Sequence, residues 1–248
     1  MKITFLGTSD GVPRKNRACA STMIETGESL YFIDAGAPVI NKIVDMGKKT
    51  EQINAVFITH SHADHIYGLI DIVRCVNNTN ISKSEGIDIL IPETRVESAI
   101  KEYFSEIIKP IDDNLVRFKG YSIGKIYEDE NICVTALPSA HMKDLGRPSY
   151  SFFVECEGKK LLFSGDLSQK LKHGDFPEIA YTDVDLFVCE MAHFCFDDVR
   201  VYIDRCKAKR VLFNHIKEIH ENDVIRENAS GKYPFPMSVP FDGEMIEL

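Results

Sequence analysis

Apolar residues occur along this chain in short clusters whose spacing alternates between that of strands and that of helices. Lys2 to Leu6, Ser21 to Thr26 and Leu30 to Ile33 are compact runs separated by glycine-containing or charged turns, so the chain opens as a sheet. Pro38 to Met46 spaces its apolar positions as a helix and stops at Gly47. Ala55 to Ile58 is a wholly apolar strand of the kind covered on both faces, and a helix is expected over His65 to Cys75. A strand at Asp88 to Ile91, a helix from Glu93 to Ile108 and a strand at Leu115 to Phe118 follow. Strands then resume at Ile132 to Leu137, Tyr150 to Cys156, Lys160 to Phe163, Leu186 to Cys189 and Arg210 to Phe213, with helices at Ser168 to Lys172 and Val199 to Cys206.

Two halves that each run from several strands into strand–helix units predict an α/β protein, an αββα sandwich of two stacked mixed sheets flanked by helices. No Pro/Gly/Ser-rich linker divides them, so residues 1–248 read as a single domain, with 77–125 as the place for a lid or insertion.

Composition narrows the partners. Lys and Arg total 29 against 38 Asp and Glu, a net charge of −9, which disfavours long nucleic acid and anionic membrane surfaces because both need basic faces. No apolar run approaches the roughly 18 residues of a membrane span. The N-terminal residues enter a strand-like run without the apolar region and cleavage site of a signal peptide. Seven cysteines with no C-x-x-C pair suit a reducing compartment and read as thiols, so a cytoplasmic location is expected.

The chemistry concentrates in Thr59-His60-Ser61-His62-Ala63-Asp64-His65, directly after the buried strand. Four ligand-type residues within six positions cannot share one helix face. A tight loop with small residues between them lets imidazoles and a carboxylate reach two adjacent points.

The pattern His60-x-His62-x-Asp64-His65 resembles the signature of the metallo-β-lactamase superfamily of binuclear metallohydrolases. The later features of that family occur in order: His141 after Val134 to Leu137, Asp166 after Leu161 to Phe163, and His215 after Val211 to Phe213. Phe5 to Pro13 and Ile33-Asp34-Ala35-Gly36 are similar to the first strands of its tRNA-processing and cyclic phosphodiesterase branches. The resemblance implies that His60, His62 and His141 hold one divalent ion and Asp64, His65 and His215 a second, with Asp166 bridging. Zinc is the first expectation, manganese or iron the alternatives. Asp64 and Asp166 would then be catalytic as well as ligating. Two divalent cations against two aspartates and one bridging hydroxide leave one positive charge, which suits a phosphodiester.

His193, in Cys189-Glu190-Met191-Ala192-His193-Phe194, resembles a non-ligand histidine of the phosphodiesterase members that could protonate a leaving oxygen; the competing reading is a buried structural histidine. Glu190 stays open between support of the site and structure. Arg17 and Arg147 are candidates for contact with a substrate phosphate, and Asp34 for supporting the ligand loop through hydrogen bonds. His173 and His220 read as capping or surface residues.

Within the superfamily, His62 and His65 argue against the classical lactamases and the flavodiiron proteins. Ile66-Tyr67-Gly68-Leu69 lacks the Gly-Gly pair that usually follows the motif in thioesterase and lactonase relatives. Only 25 positions separate His141 from Asp166, too few for the substrate arm of tRNA-processing members. The expected activity is hydrolysis of a small or cyclic phosphodiester. Alternatives are a carboxylic ester, thioester or lactone hydrolase, an endoribonuclease without the arm, and a metal-bound scaffold without activity. A homodimer is compatible with the sequence.

Overall fold

The computed structural model describes residues 1–36, 38–78 and 86–248. Its strands form two seven-stranded sheets. In the first, β1 (Lys2–Gly7), β2 (Ser21–Thr26) and β3 (Ser29–Ile33) make an antiparallel meander, and β4 (Ile53–Phe57), β5 (Ile87–Ile91) and β6 (Val116–Gly120) continue it in parallel. The second repeats the plan. There β7 (Gly124–Glu128), β8 (Ile132–Pro138), β9 (Tyr150–Cys156) and β10 (Lys159–Phe163) are antiparallel, and β11 (Leu186–Met191), β12 (Val211–Ile216) and β13 (Met237–Ser238) follow in parallel. The last strand, β14 (Met245–Glu247), returns to pair antiparallel with β1.

Parallel pairing requires crossovers, and α-helices supply them except between β10 and β11, where the connection holds only 3-10 turns. Helices α1 (Val39–Asp45), α2 (Ala63–Ile66), α3 (Leu69–Val76) and α4 (Thr94–Ile107) belong to the first half, α5 (Phe196–Ile203) and α6 (Glu218–Ala229) to the second. One apolar cluster lies between the sheets, joining Phe5, Tyr31, Phe57 and Leu90 to Val134, Phe152, Phe163 and Leu212. A second packs Val39, Ile43, Leu69, Val73 and Phe104 on the outer face of the first sheet, and a third packs Phe176, Phe196, Val199 and Val224 on that of the second. This is the αββα sandwich expected from the chain's rhythm.

Several local expectations change. The single helix read over His65 to Cys75 is two, broken where Gly68 meets the end of β3: its N–H donates to the Ala35 carbonyl at 2.7 Å, and a Cβ there would lie 2.7 Å from the Gly36 oxygen. The helix expected at Ser168 to Lys172 is a 3-10 turn at Gln169–Leu171, with Lys170 and Leu171 both at positive φ. Of the stretch 77–125, Ile87–Ile91 and Val116–Gly120 are strands of the first sheet and Thr94–Ile107 a helix over it; residues 79–85 lie outside the described residues. Strand β7 and helix α6 have no counterpart in the sequence reading. α6 buries only Val224, so it carries no apolar stripe to read.

Candidate metal centre

The ligand-type residues emerge from loops that follow strand ends, except His215, which lies near the end of β12. After β4, Thr59 is anchored by Asp34, whose carboxylate accepts the Thr59 N–H at 2.8 Å and its hydroxyl at 2.9–3.0 Å. The same carboxylate accepts His65 Nδ1–H at 2.8 Å. Asp34 itself sits at φ +60°, a left-handed conformation uncommon outside glycine, which the surrounding structure must hold in place. With Nδ1 occupied, His65 presents Nε2.

Asp166 follows β10 through Gly165, at φ +55° and with no room for a Cβ, which would fall 2.5 Å from the Tyr150 oxygen. His215 lies inside β12, but Glu190 pairs with Asn214 and Met191 with Ile216, so His215 is the extra residue of a β-bulge at φ +46°. The bulge re-aims its ring.

The convergence forms two clusters. His60 Nε2 lies 3.0 Å and His141 Nε2 3.1 Å from His62 Nδ1, and both lie close to Asp166 Oδ2, at 3.6 and 3.7 Å. The other oxygen, Oδ1, faces His65 Nε2 at 3.4 Å and His215 Nε2 at 3.5 Å, while Asp64 Oδ2 stands 3.3 and 3.8 Å from those two nitrogens. A tetrahedron of nitrogen and oxygen ligands about 2.0–2.1 Å from an ion has edges of about 3.3 Å, close to these separations. His65 Nε2 and Asp166 Oδ1 are moreover buried without a hydrogen-bond partner, and a cation between them would satisfy both. The donor set fits a divalent ion at each cluster: His60, His62, His141 and Asp166 could hold one, and Asp64, His65 and His215, with Asp166 shared, a second.

Charge follows the same division. Burial, reinforced by neighbouring histidines, holds His60 well below the usual histidine range; burial also lowers His62 and His141. These rings are therefore neutral, the form that ligates. For His65 and His215 burial acts in the same direction but is outweighed, mainly by Asp166, and both are raised. Asp166 is pushed well below the carboxylate range: burial opposes its charge, and His215, His65 and His60 overcome that.

His193 stands beside this centre. Its Nδ1 donates to Glu190 Oε1 at 3.0 Å and lies 3.8 Å from Asp166 Oδ2, and its ring packs on that of His141 with centroids 4.5 Å apart. Glu190 also accepts the N–H groups of Leu167, Ala192 and His193. The two arginines are already partnered. Arg17 is buried, donating to Thr8 Oγ1 and the Pro240 carbonyl and pairing with Glu221 at 2.7 Å, whereas Arg147 makes a two-point pair with Glu93. His173 contacts Asp144 at 3.2 Å, and His220 lies 3.9 Å from Asp223. Sequence reasoning missed Asp175, whose carboxylate joins two ligand loops; an acid in a turn carries no distinguishing signal before the loops are brought together.

Fold and centre together define a metallo-β-lactamase-fold protein. Its overall path matches that of the metallo-β-lactamase fold protein YhfI from Bacillus subtilis (TM-score 0.78, 16% identity, covering 100% of this chain and 99% of that one). It also matches the short form of human tRNase Z (TM-score 0.75, 18% identity, 100% and 99% covered). Over residues 1–235 the chain matches the family described as anti-Pycsar protein Apyc1, and it belongs to that family. It is also similar to ribonuclease Z of Prochlorococcus marinus (strain MIT 9215), 32% identical over 179 residues. That alignment covers 69% of this chain and 55% of the relative, so the chain spans about half the length of the curated relatives it matches.

Proposed function

We infer that this protein is a binuclear metal-dependent hydrolase of a small or cyclic phosphodiester. The observation that carries this reading is the division of one carboxylate: the two oxygens of Asp166 face separate clusters of histidines, as a bridge between two ions requires. When bound, two divalent ions supply an ionised water at neutral pH and neutralise charge on the phosphoryl oxygens.

The chain's own groups do the rest. Asp34 holds His65, and the bulge at His215 turns that ring toward Asp64 and Asp166. His193 is the proton carrier. Burial works against its charge, but the hydrogen bond and charge of Glu190 prevail and lift it to about 9, so in the metal-free chain it is protonated at neutral pH. Because Glu190 holds Nδ1, Nε2 is the nitrogen from which a proton would pass to the departing alkoxide.

Similarity to a ribonuclease supports phosphodiester chemistry. The short interval between His141 and Asp166 and the net charge of −9 favour a small substrate over a folded RNA. The test is turnover of bis-p-nitrophenyl phosphate and of cyclic nucleotides beside thioester and lactone panels. Cleavage of the phosphodiesters alone supports the reading; turnover confined to thioesters or lactones overturns it.

A further inference from the structure

Three backbone segments meet beside the first cluster: the end of β8 leading to His141, the end of β10 leading to Asp166, and the turn at Gln169–Leu171. Nothing in their local sequence fixes the distance between the first two, which are 25 positions apart. Yet that distance decides whether His141 and Asp166 can share an ion.

Hydrogen bonds across the gap engage in turn the backbone groups from the Asp166 carbonyl to the Ser168 N–H. The Asp166 carbonyl accepts from Ser139 Oγ, and the Leu167 N–H donates to Glu190 Oε1 at 3.0 Å. The Leu167 carbonyl faces His141 Nδ1 at 3.2 Å, and the Ser168 N–H donates to Asp175 Oδ2 at 2.8 Å. Asp175, which belongs to neither loop, holds both of them. Its Oδ2 also accepts the Ala140 N–H at 2.9 Å, immediately before His141, and its Oδ1 accepts the Ser168 hydroxyl at 2.6 Å.

The segment that brings Asp175 back to Ser168 is itself built to do so. Lys170 and Leu171 take consecutive left-handed conformations that L-residues adopt only when their surroundings impose them. Those surroundings include the Lys170 N–H on the His193 carbonyl at 3.0 Å and the His173 N–H on Ser168 Oγ at 3.1 Å.

We propose that Asp175 is a positioning residue for the first metal cluster, its carboxylate fixing the spacing of the His141 and Asp166 loops through Ala140 and Ser168. It touches no ligand side chain and acts through the two backbones. The inference rests on the two-metal reading above, and its test therefore reads metal binding in place of turnover.

Zinc titration of the metal-free protein should show two equivalents for the unaltered chain. In Asp175→Asn, which replaces the charged carboxylate that serves two backbone N–H groups and a hydroxyl with a neutral amide that has one acceptor oxygen, one equivalent should weaken at least tenfold, the usual scale for groups that orient metal ligands. The other should stay within about twofold and the melting temperature of the metal-free protein should stay near that of the parent, an outcome that a general loss of folding would not produce. Ser168→Ala, which removes the hydroxyl bond to Asp175 together with the acceptor of the His173 N–H but leaves both backbone bonds to Asp175, should shift the same equivalent in the same direction by less. Two equivalents of parental affinity in Asp175→Asn overturn the proposal. If Asp175→Asn does not fold, Ser168→Ala decides: parental binding of both equivalents there overturns it too. A parent chain that binds no zinc overturns the proposed function along with it.

Discussion

Glu190 Oε1 lies 3.0 Å from His193 Nδ1, and the same oxygen accepts the Leu167 N–H at 3.0 Å, next to Asp166. One buried acid thus ties His193 to the loop that bears Asp166. Movement of either would disturb the other, so the pair sets both the charge and the placement of His193.

The charge can be titrated. In the metal-free protein His193 should lose its proton near pH 9, and Glu190→Gln should bring that value down, because Asp166 is then left to oppose burial without Glu190. A folded-state value above the unfolded one means that the pair's contribution to stability is complete below about pH 6.5 and is lost as the pH rises through about 9. Histidine resonances followed by NMR give the first quantity, and urea unfolding at pH 6 and pH 10 gives the second. An unchanged His193 titration in Glu190→Gln would remove Glu190 as the cause.

His193→Ala separates a dedicated acid from a structural ring. An alkoxide leaves phosphorus poorly without a proton, whereas p-nitrophenolate leaves readily. The substitution should slow an alkyl phosphodiester by ~10²-fold or more and the p-nitrophenyl ester far less. Bound metal should not change. Equal losses on both substrates would assign His193 to structure.

Asp166→Ala removes the one side chain shared by the two clusters. Turnover should vanish and metal content should fall below two per chain, while circular dichroism remains that of a folded αββα protein, since Asp166 follows a strand and packs no core. In the unaltered chain, adding zinc should raise the melting temperature and a chelator should reverse it, because ligand that binds only the folded state stabilises it. A dimetallic, active Asp166→Ala protein would mean that a different carboxylate bridges.

Arg147 is held by Glu93, whose side chain is 6% exposed. Arg147→Ala should cost about 1 kcal/mol of stability, since Arg95 remains to pair with Glu93, and should change KM less than twofold. Equilibrium unfolding and steady-state kinetics on the same variant measure the two. A tenfold rise in KM at unaltered stability would instead place this guanidinium on the substrate phosphate.

Much of the scaffold was readable in advance because strands buried on both faces, such as Ala55 to Ile58 and Leu161 to Phe163, are continuous apolar runs with glycine or polar residues at their ends. The ligand types were readable too, since four of them crowd one short loop. Helix α6 was not, because Val224 is its one buried residue and its remaining positions carry no period. The break at Gly68 was not, because it depends on the approach of the Ala35 and Gly36 carbonyls from the loop after β3.

What the sequence determined by itself, then, is local: which segments are strands, that the chain alternates between them and helices, and which side chains are fit to ligate. Only the tertiary structure decided that His60 and His141, with His62 between them, gather on one oxygen of Asp166 and His65 and His215 on the other. The same holds for the commitment of Arg17 to Glu221 and for the reach of Asp175 across two loops. The physical reason is that these relations are distances between strand ends far apart in the chain, set by sheet order, a bulge and backbone hydrogen bonds, none of which is carried by any single residue.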